Sequence, residues 1–213
     1  MAKLKVGVLI SGRGSNMAAL IEAARAPGYP AEIACVLSNV ASAPGLELAQ
    51  AAAVPTAAIS HKSFADRESF DRALSAELDK HGIELVAEAG FMRIHSPWFA
   101  ERWKGRLLNI HPSLLPAFPG LRVQQQAIDA GVRISGCTVH FVTAELDAGP
   151  IIAQAAVPVL PDDTAEMLAE RILRQEHRLY PQVVRWFAED RVHLDRGRVL
   201  VTGAPTLLFS SQP

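Results

Sequence analysis

The chain has 213 residues, enough for one domain with a full hydrophobic core, or for one domain with a small appendage. Apolar residues make up 49% and charged residues 20%, and the net charge of −1 argues against a nucleic-acid or anionic-membrane surface. Cys35 and Cys137 sit in apolar surroundings without CxxC spacing, which reads as reduced core cysteines of a cytoplasmic protein, and no apolar run reaches membrane-spanning length.

Residues 4–10 form a continuous apolar run, too short for a secretory signal and followed by Gly12, Arg13 and Gly14. They read as a strand closed by a glycine-rich turn. A helix over 16–25 then places Met17, Leu20 and Ile21 on one face. A strand at 31–38, a short helix at 46–53 and a strand at 56–60 follow. Asp66 opens a helix that reaches His81, with Leu74 and Leu78 inward, and strands are expected at 83–90 and 106–110. Strands apolar on both sides, alternating with helices, predict an α/β fold with a mostly parallel sheet covered on both faces.

The second half changes character. Residues 134–143 alternate, with Cys137, Val139 and Phe141 on one side and Thr138, His140 and Val142 on the other. The run 150–160 follows so closely that the two predict an antiparallel pair added to the parallel sheet. Asp163 with Glu166 reads as a capping box for a helix to about Leu179. Pro181 is expected to kink or restart that helix ahead of Val184, Trp186 and Phe187. A small hairpin is expected over 192–201, and the tail after Gly203 is expected to be loose. His61, His81 and His193 stand in polar contexts and read as surface residues.

In open parallel sheets, ligands sit beyond the carboxyl ends of the strands, so four segments carry the chemistry. In "ISGRGSNMAAL", Gly12 and Gly14 permit a tight turn, and Ser15 and Asn16 begin a helix whose first amides attract phosphate. Met17 stands where a third dinucleotide-binding glycine would be, and no Walker lysine is present, so a single phosphate or a plain capped turn are the open readings. In "EAGFMRIHS", the cation Arg93 and the apolar Phe91, Met92 and Ile94 fall in a predicted loop, as a pocket wall or as packing under the loop. In "LLNIHPSLLP", Asn109 and His111 are two apart and share one side of the strand. A strand-end amide can donate to an oxyanion and an imidazole can move a proton near neutral pH, although a buried structural pair would look the same. In "FVTAELDAGPII", Asp147 could orient His111, or simply make a turn. His111, His140 and Asp147 also qualify as a two-histidine, one-carboxylate metal set, but no compact ligand spacing supports a metal. No GxSxG elbow is present.

The blocks "GVLISGRGSN", "GFMRI", "LLNIHPSLLPAFPG", "GCTVHFVTAELDAGPIIAQ" and "RILRQEHRLYP" occur in this order along nearly the whole chain. Together they resemble the phosphoribosylglycinamide formyltransferase family, the folate-dependent enzymes of purine biosynthesis. The resemblance implies one formyltransferase domain over 1–213, Rossmann-like, with a nucleotide-binding half at about 1–105, a folate-binding and catalytic half at about 106–190, and a hairpin and tail at 191–213. It implies formyl transfer from 10-formyltetrahydrofolate, as co-substrate, to the amine of glycinamide ribonucleotide, without a metal. The catalytic trio falls on Asn109, His111 and Asp147. The ribonucleotide falls on Gly14, Ser15 and Asn16 for its phosphate, and on Arg174, Gln175 and Glu176 at its glycinamide end. The folate falls on Arg67, Met92, Arg93, Ile94, His95, Asn109, Thr143, Ala144, Glu145, Leu146 and Asp147.

Two positions depart from the pattern. Arg122 stands where the family commonly has a histidine, and arginine cannot shuttle protons at neutral pH. His95 stands where an apolar residue is usual, with its backbone expected against the pterin. Two related activities, methionyl-tRNA formyl transfer and formyltetrahydrofolate hydrolysis, use similar machinery with an added C-terminal or N-terminal domain. The strand beginning at residue 4, the short tail and the neutral charge are expected to exclude them. A silent nucleotide- or folate-binding module is the reading from another class, and the retained trio argues against it. A cytoplasmic monomer or weak homodimer is expected.

Overall fold

β1 (Leu4–Ile10) is buried from Val6 onward, as a strand covered on both faces must be. In a computed structural model, described over residues 2–203 and 207–209, it is followed by α1 (Ser15–Arg25), β2 (Ala31–Ser38), α2 (Pro44–Ala51) and β3 (Thr56–Ala58). A 3-10 turn at His61–Ser63 precedes α3 (Arg67–Lys80), β4 (Leu85–Glu88), α4 (Pro97–Arg102) and β5 (Leu107–His111). The chain divides into two compact units, Met1–Asn109 and Ile110–Pro213, and β5 runs through the division.

In the first unit the strands lie in the order β5-β4-β1-β2-β3, each neighbouring pair parallel. The order reverses at β1, which has β2 on one side and β4 on the other, so the loops leaving β1 and β4 diverge at the carboxyl edge. They are nonetheless tied together. Ser11 N donates to the Gly90 carbonyl at 3.1 Å, and Met92 N donates to Ser11 Oγ at 2.7 Å. α3 opens with a capping box in which Ser69 N donates to Asp66 Oδ1 at 2.7 Å. It packs so closely on β1 that a Cβ on Gly7 would lie 2.6 Å from the Leu78 Cδ2. The six-residue α4, absent from the predicted elements, is capped by Ser96 with Pro97 at its first turn. It is too short for its apolar periodicity to register.

The second unit contains α5 (Val123–Asp129), β6 (Ile134–Phe141), β7 (Ile151–Pro158), α6 (Ala165–Ala188), β8 (Val192–Asp195), β9 (Arg198–Val201) and β10 (Leu207–Phe209). β6 and β7 pair antiparallel from Ile134 opposite Pro158 to His140 opposite Ile151, with an irregularity between Val139 and His140. The expected alternation of β6 does not separate a wet from a dry face: Thr138 and His140 are as buried as Cys137 and Val139. β8 and β9 form the expected hairpin. The tail is not wholly loose, because Leu207–Phe209 pairs parallel with Gln154, Ala155 and Ala156 of β7; residues 204–206 and 210–213 lie outside the described residues. The fold is thus α/β, with parallel strands first, antiparallel strands in the C-terminal half, and flanking helices.

Two expectations about α6 are corrected. Its cap is Thr164, which accepts from Met167 N at 3.3 Å. Asp163 is engaged elsewhere: it accepts from both terminal nitrogens of Arg171 at 2.6 and 2.7 Å and from Leu160 N at 2.8 Å. The helix also passes through Pro181 without a break. Leu179, Tyr180, Val183, Val184 and Trp186 are all buried around the proline, and that burial outweighs the one backbone hydrogen bond proline removes.

Candidate functional site

The glycine-rich turn after β1 delivers the first unit's candidate anion site. Gly14 adopts a left-handed conformation (φ 73°) that glycine takes without strain, and it starts α1. Among the described residues, no side chain caps α1 and no acid stands in its first turn. The first-turn amides of Ser15 and Asn16 therefore keep the partial positive character that draws phosphate. Asn16 is buried and Ser15 half-buried.

After β4 the chain makes a second left-handed turn at Gly90 (φ 77°) and crosses 91–96 to reach α4. Met92 and Ile94 are 64% and 49% exposed, and Arg93 is exposed with them, whereas Phe91 packs inward. His95 differs from its neighbours. Its side chain turns under the loop, where Nδ1 lies 3.0 Å from Asp71 Oδ1 and Nε2 lies 2.5 Å from Glu88 Oε1. Its side chain is thus turned away from the exposed Met92, Arg93 and Ile94. Nearby, Arg67 is exposed at the start of α3 and lines a cavity of about 670 Å3 with Asp66, Arg72, Ser96 and Pro97. Of the residues expected on the folate side, this cavity takes in Arg67 but not Met92, Arg93, Ile94 or His95.

β5 carries Asn109 and His111 two residues apart, hence on the same side of the strand, with Asn109 opposite Glu88 of β4. The second unit then assembles the surroundings of His111. Its Nδ1 stands 3.6 Å from Asp147 Oδ1, and its Nε2 donates to the Phe118 carbonyl at 3.1 Å. Asp147 adopts φ 51° and accepts the Gly120 amide on Oδ2 at 2.8 Å. Gly149 shapes this loop, because a Cβ there would collide with the Phe141 carbonyl. His140 approaches the same oxygen, its Nε2 4.0 Å from Oδ1, with Nδ1 donating to the Phe141 carbonyl. One carboxylate thus faces two buried histidines. No group of three or more His, Cys, Asp or Glu side chains is arranged to hold a metal among the described residues.

A polar network beneath the pair went unread in the sequence. Ser113 Oγ donates to the carbonyls of Ala117 and Phe118, at 2.7 and 3.0 Å. Thr138 Oγ1 donates to the Ser113 carbonyl at 2.7 Å and accepts from Leu115 N at 3.0 Å, and Gln154 Nε2 donates to the Leu115 carbonyl at 2.8 Å. The turn after β5 is thereby bolted to β6 and β7. Its sequence signal is faint, because Thr138 is one of three polar residues on β6, with Ser135 and His140.

The remaining expected residues divide by exposure. Thr143, Ala144, Glu145 and Leu146 form an exposed stretch leading to Asp147. On α6, Gln175 and Glu176 are buried while Arg174 is exposed, since successive helical residues point about 100° apart. Burial, and then the negative charge of Glu176, push the Cys137 thiol above its ordinary range; Cys35 is pushed up to about 12, mainly by burial. Both cysteines are free and buried. Arg122 caps α5 at φ 54° with its side chain exposed.

The formyl transferase family model matches residues 4–184. The Escherichia coli phosphoribosylglycinamide formyltransferase is 44% identical over 200 residues, covering 94% of each chain. The Bos taurus trifunctional purine biosynthetic protein adenosine-3 is 47% identical over 198 residues, which is 92% of this chain but only 20% of that much longer protein. The crystal structure of glycinamide ribonucleotide transformylase 1 from Symbiobacterium toebii superposes with a TM-score of 0.91 at 48% identity, covering 93% of this chain and 94% of that one.

Proposed function

The chain belongs to the formyl transferase family, and from that premise we propose that it transfers the formyl group of 10-formyltetrahydrofolate to the amine of glycinamide ribonucleotide in purine biosynthesis. The amine nitrogen attacks the formyl carbon and a tetrahedral intermediate forms. The Asn109 amide donates to its oxyanion, an interaction strengthened as the charge develops. His111 receives the proton released by the amine and returns one to the departing folate nitrogen. Asp147 orients the imidazole. The observation that carries this reading is the His111–Asp147 pair, fixed by the Gly120 amide, on the strand that also bears Asn109.

The same reading assigns Gly14, Ser15 and Asn16 to the ribonucleotide phosphate, supported by the uncapped start of α1. Gln175 and Glu176, with Arg174, are assigned to the glycinamide end, where a carboxylate attracts the amine. Arg67, Met92, Arg93, Ile94 and the backbone of His95, with Asn109 and 143–147, are assigned to the folate. Arg122 contributes a fixed positive charge and no proton transfer. The protein is placed in the cytoplasm, in keeping with its two unpaired buried cysteines, and acts as a monomer or weak homodimer. The test is loss of a 10-formyl folate analogue, followed by absorbance with and without glycinamide ribonucleotide. Turnover that requires the ribonucleotide supports the reading. Turnover without it indicates hydrolysis instead, and absence of both indicates a binding module.

A further inference from the structure

We propose that His95 is a positioning residue: with Asp71 and Glu88 it forms a buried ionic clamp that sets the segment 92–94 in the conformation that receives the folate. The inference rests on the functional reading above, which assigns that segment to the folate side.

The geometry requires a cation at this place. His95 is 5% exposed and both ring nitrogens face carboxylate oxygens, Asp71 on α3 and Glu88 at the end of β4. A neutral imidazole has a single N–H, so one nitrogen lone pair would be pressed against a carboxylate. The imidazolium donates to both. Its faces are covered as well. Phe99 of α4 stacks on one at 4.1 Å and 11°, and Phe91 stacks at 5.3 Å and 16°, and aromatic faces favour a cation. Burial alone would favour the neutral ring, but Glu88 and Asp71 outweigh it, and His95 is pushed up to about 9.

The clamp acts on the backbone through Asp71, whose second oxygen accepts the Ser96 amide at 2.5 Å. One helix carboxylate thus holds the side chain of residue 95 and the main chain of residue 96. At the other end Ser11 Oγ accepts the Met92 amide at 2.7 Å. Between these anchors stand the exposed Met92, Arg93 and Ile94. The segment is pinned at both ends while its side chains face solvent, as a surface that meets a ligand must be. An apolar residue at position 95 would fill the space between the two phenylalanines and supply neither charged bond.

Wild type is compared with His95→Leu, and with His95→Leu/Asp71→Asn/Glu88→Gln, which keeps the site neutral if the single variant does not fold. The expected result is a KM for 10-formyltetrahydrofolate raised about ten-fold, with the KM for glycinamide ribonucleotide within about two-fold. In wild type the folate KM climbs as pH rises through about 9, and in the variants this limb is missing. Trypsin cleavage after Arg93 is expected to be faster in the variants. An unchanged folate KM alongside a lowered Tm overturns the proposal in favour of a merely structural role, and so does unchanged cleavage at Arg93. If wild type transfers no formyl group, the functional reading has failed, and cleavage at Arg93 alone decides the clamp: equal rates overturn it and faster cleavage in the variants supports it.

Discussion

Asp147 divides its carboxylate between His111 and a backbone amide: Oδ1 faces the His111 Nδ1 at 3.6 Å, and Oδ2 accepts Gly120 N at 2.8 Å. The amide fixes the carboxylate, and the carboxylate then fixes which way the imidazole turns. The Nε2 of the same ring is held by the Phe118 carbonyl.

If His111 moves the proton and Asn109 holds the oxyanion, each is needed in the transition state more than for binding. His111→Ala and Asn109→Ala are expected to lower kcat by at least about a hundred-fold each, with KM values changed far less. Steady-state kinetics on variants shown to be folded by circular dichroism checks this. Near-normal kcat in either would remove that residue from the chemistry.

Ser113 Oγ donates to two carbonyls, one of which, Phe118, also holds His111. Ser113→Ala removes a donor from the Ala117 carbonyl and leaves the Phe118 carbonyl to His111 alone, and is expected to cost about 1 kcal/mol of stability. It should also lower kcat more than it changes either KM, because the ring loses its fixed support. Urea unfolding and kinetics on the same sample separate the two effects.

The buried clamp makes stability depend on alkaline pH. The His95 pKa is raised from its ordinary 6.5 to about 9, so its contribution is fully present below 6.5 and is lost as pH rises through about 9. The Tm difference between wild type and His95→Leu is therefore expected to shrink steadily across that window. A difference independent of pH would show that the ring is held neutral.

Asp163 supplies the acid-side counterpart. Its bonds from Arg171 hold its carboxyl below the ordinary 3.8, so the stabilisation is present above that value and is lost as pH falls through the folded value. Asp163→Asn is expected to lower Tm near neutrality and to show a smaller further loss in acid than wild type. Thr164→Ala, which removes the helix cap, should cost about 1 kcal/mol at every pH. Thermal melts of both variants over acid to neutral pH distinguish the two roles.

Much of the frame was legible because periodicity carries it. The apolar strands 4–10 and 31–38 and the helix opened by Asp66 follow from patterns many residues long. α4 and α5 were not read, being six and seven residues long, too short for periodicity. An acid one residue before the true cap looks the same in sequence, so Asp163 mimics a cap, while its partner Arg171 lies about two helical turns on. Local propensity predicts a kink or restart at Pro181, and tertiary burial overrides it. In the candidate site, Asn109 and His111 stand out as polar residues where an apolar run ends, and Asp147 as an acid in a loop closed by Gly149 and Pro150. His95 did not, since its meaning depends on Asp71, masked as one more helix acid, and Glu88, the one charge in an apolar strand. No spacing rule joins residues 71, 88 and 95, only the packing of α3 on the sheet.

The most direct measurement is the mass of the ribonucleotide product after incubation of the purified protein with 10-formyltetrahydrofolate and glycinamide ribonucleotide. Formyl transfer predicts that the ribonucleotide gains one formyl group on its amine as tetrahydrofolate appears in equal amount. Tetrahydrofolate accompanied by free formate, with the ribonucleotide mass unchanged, would contradict it.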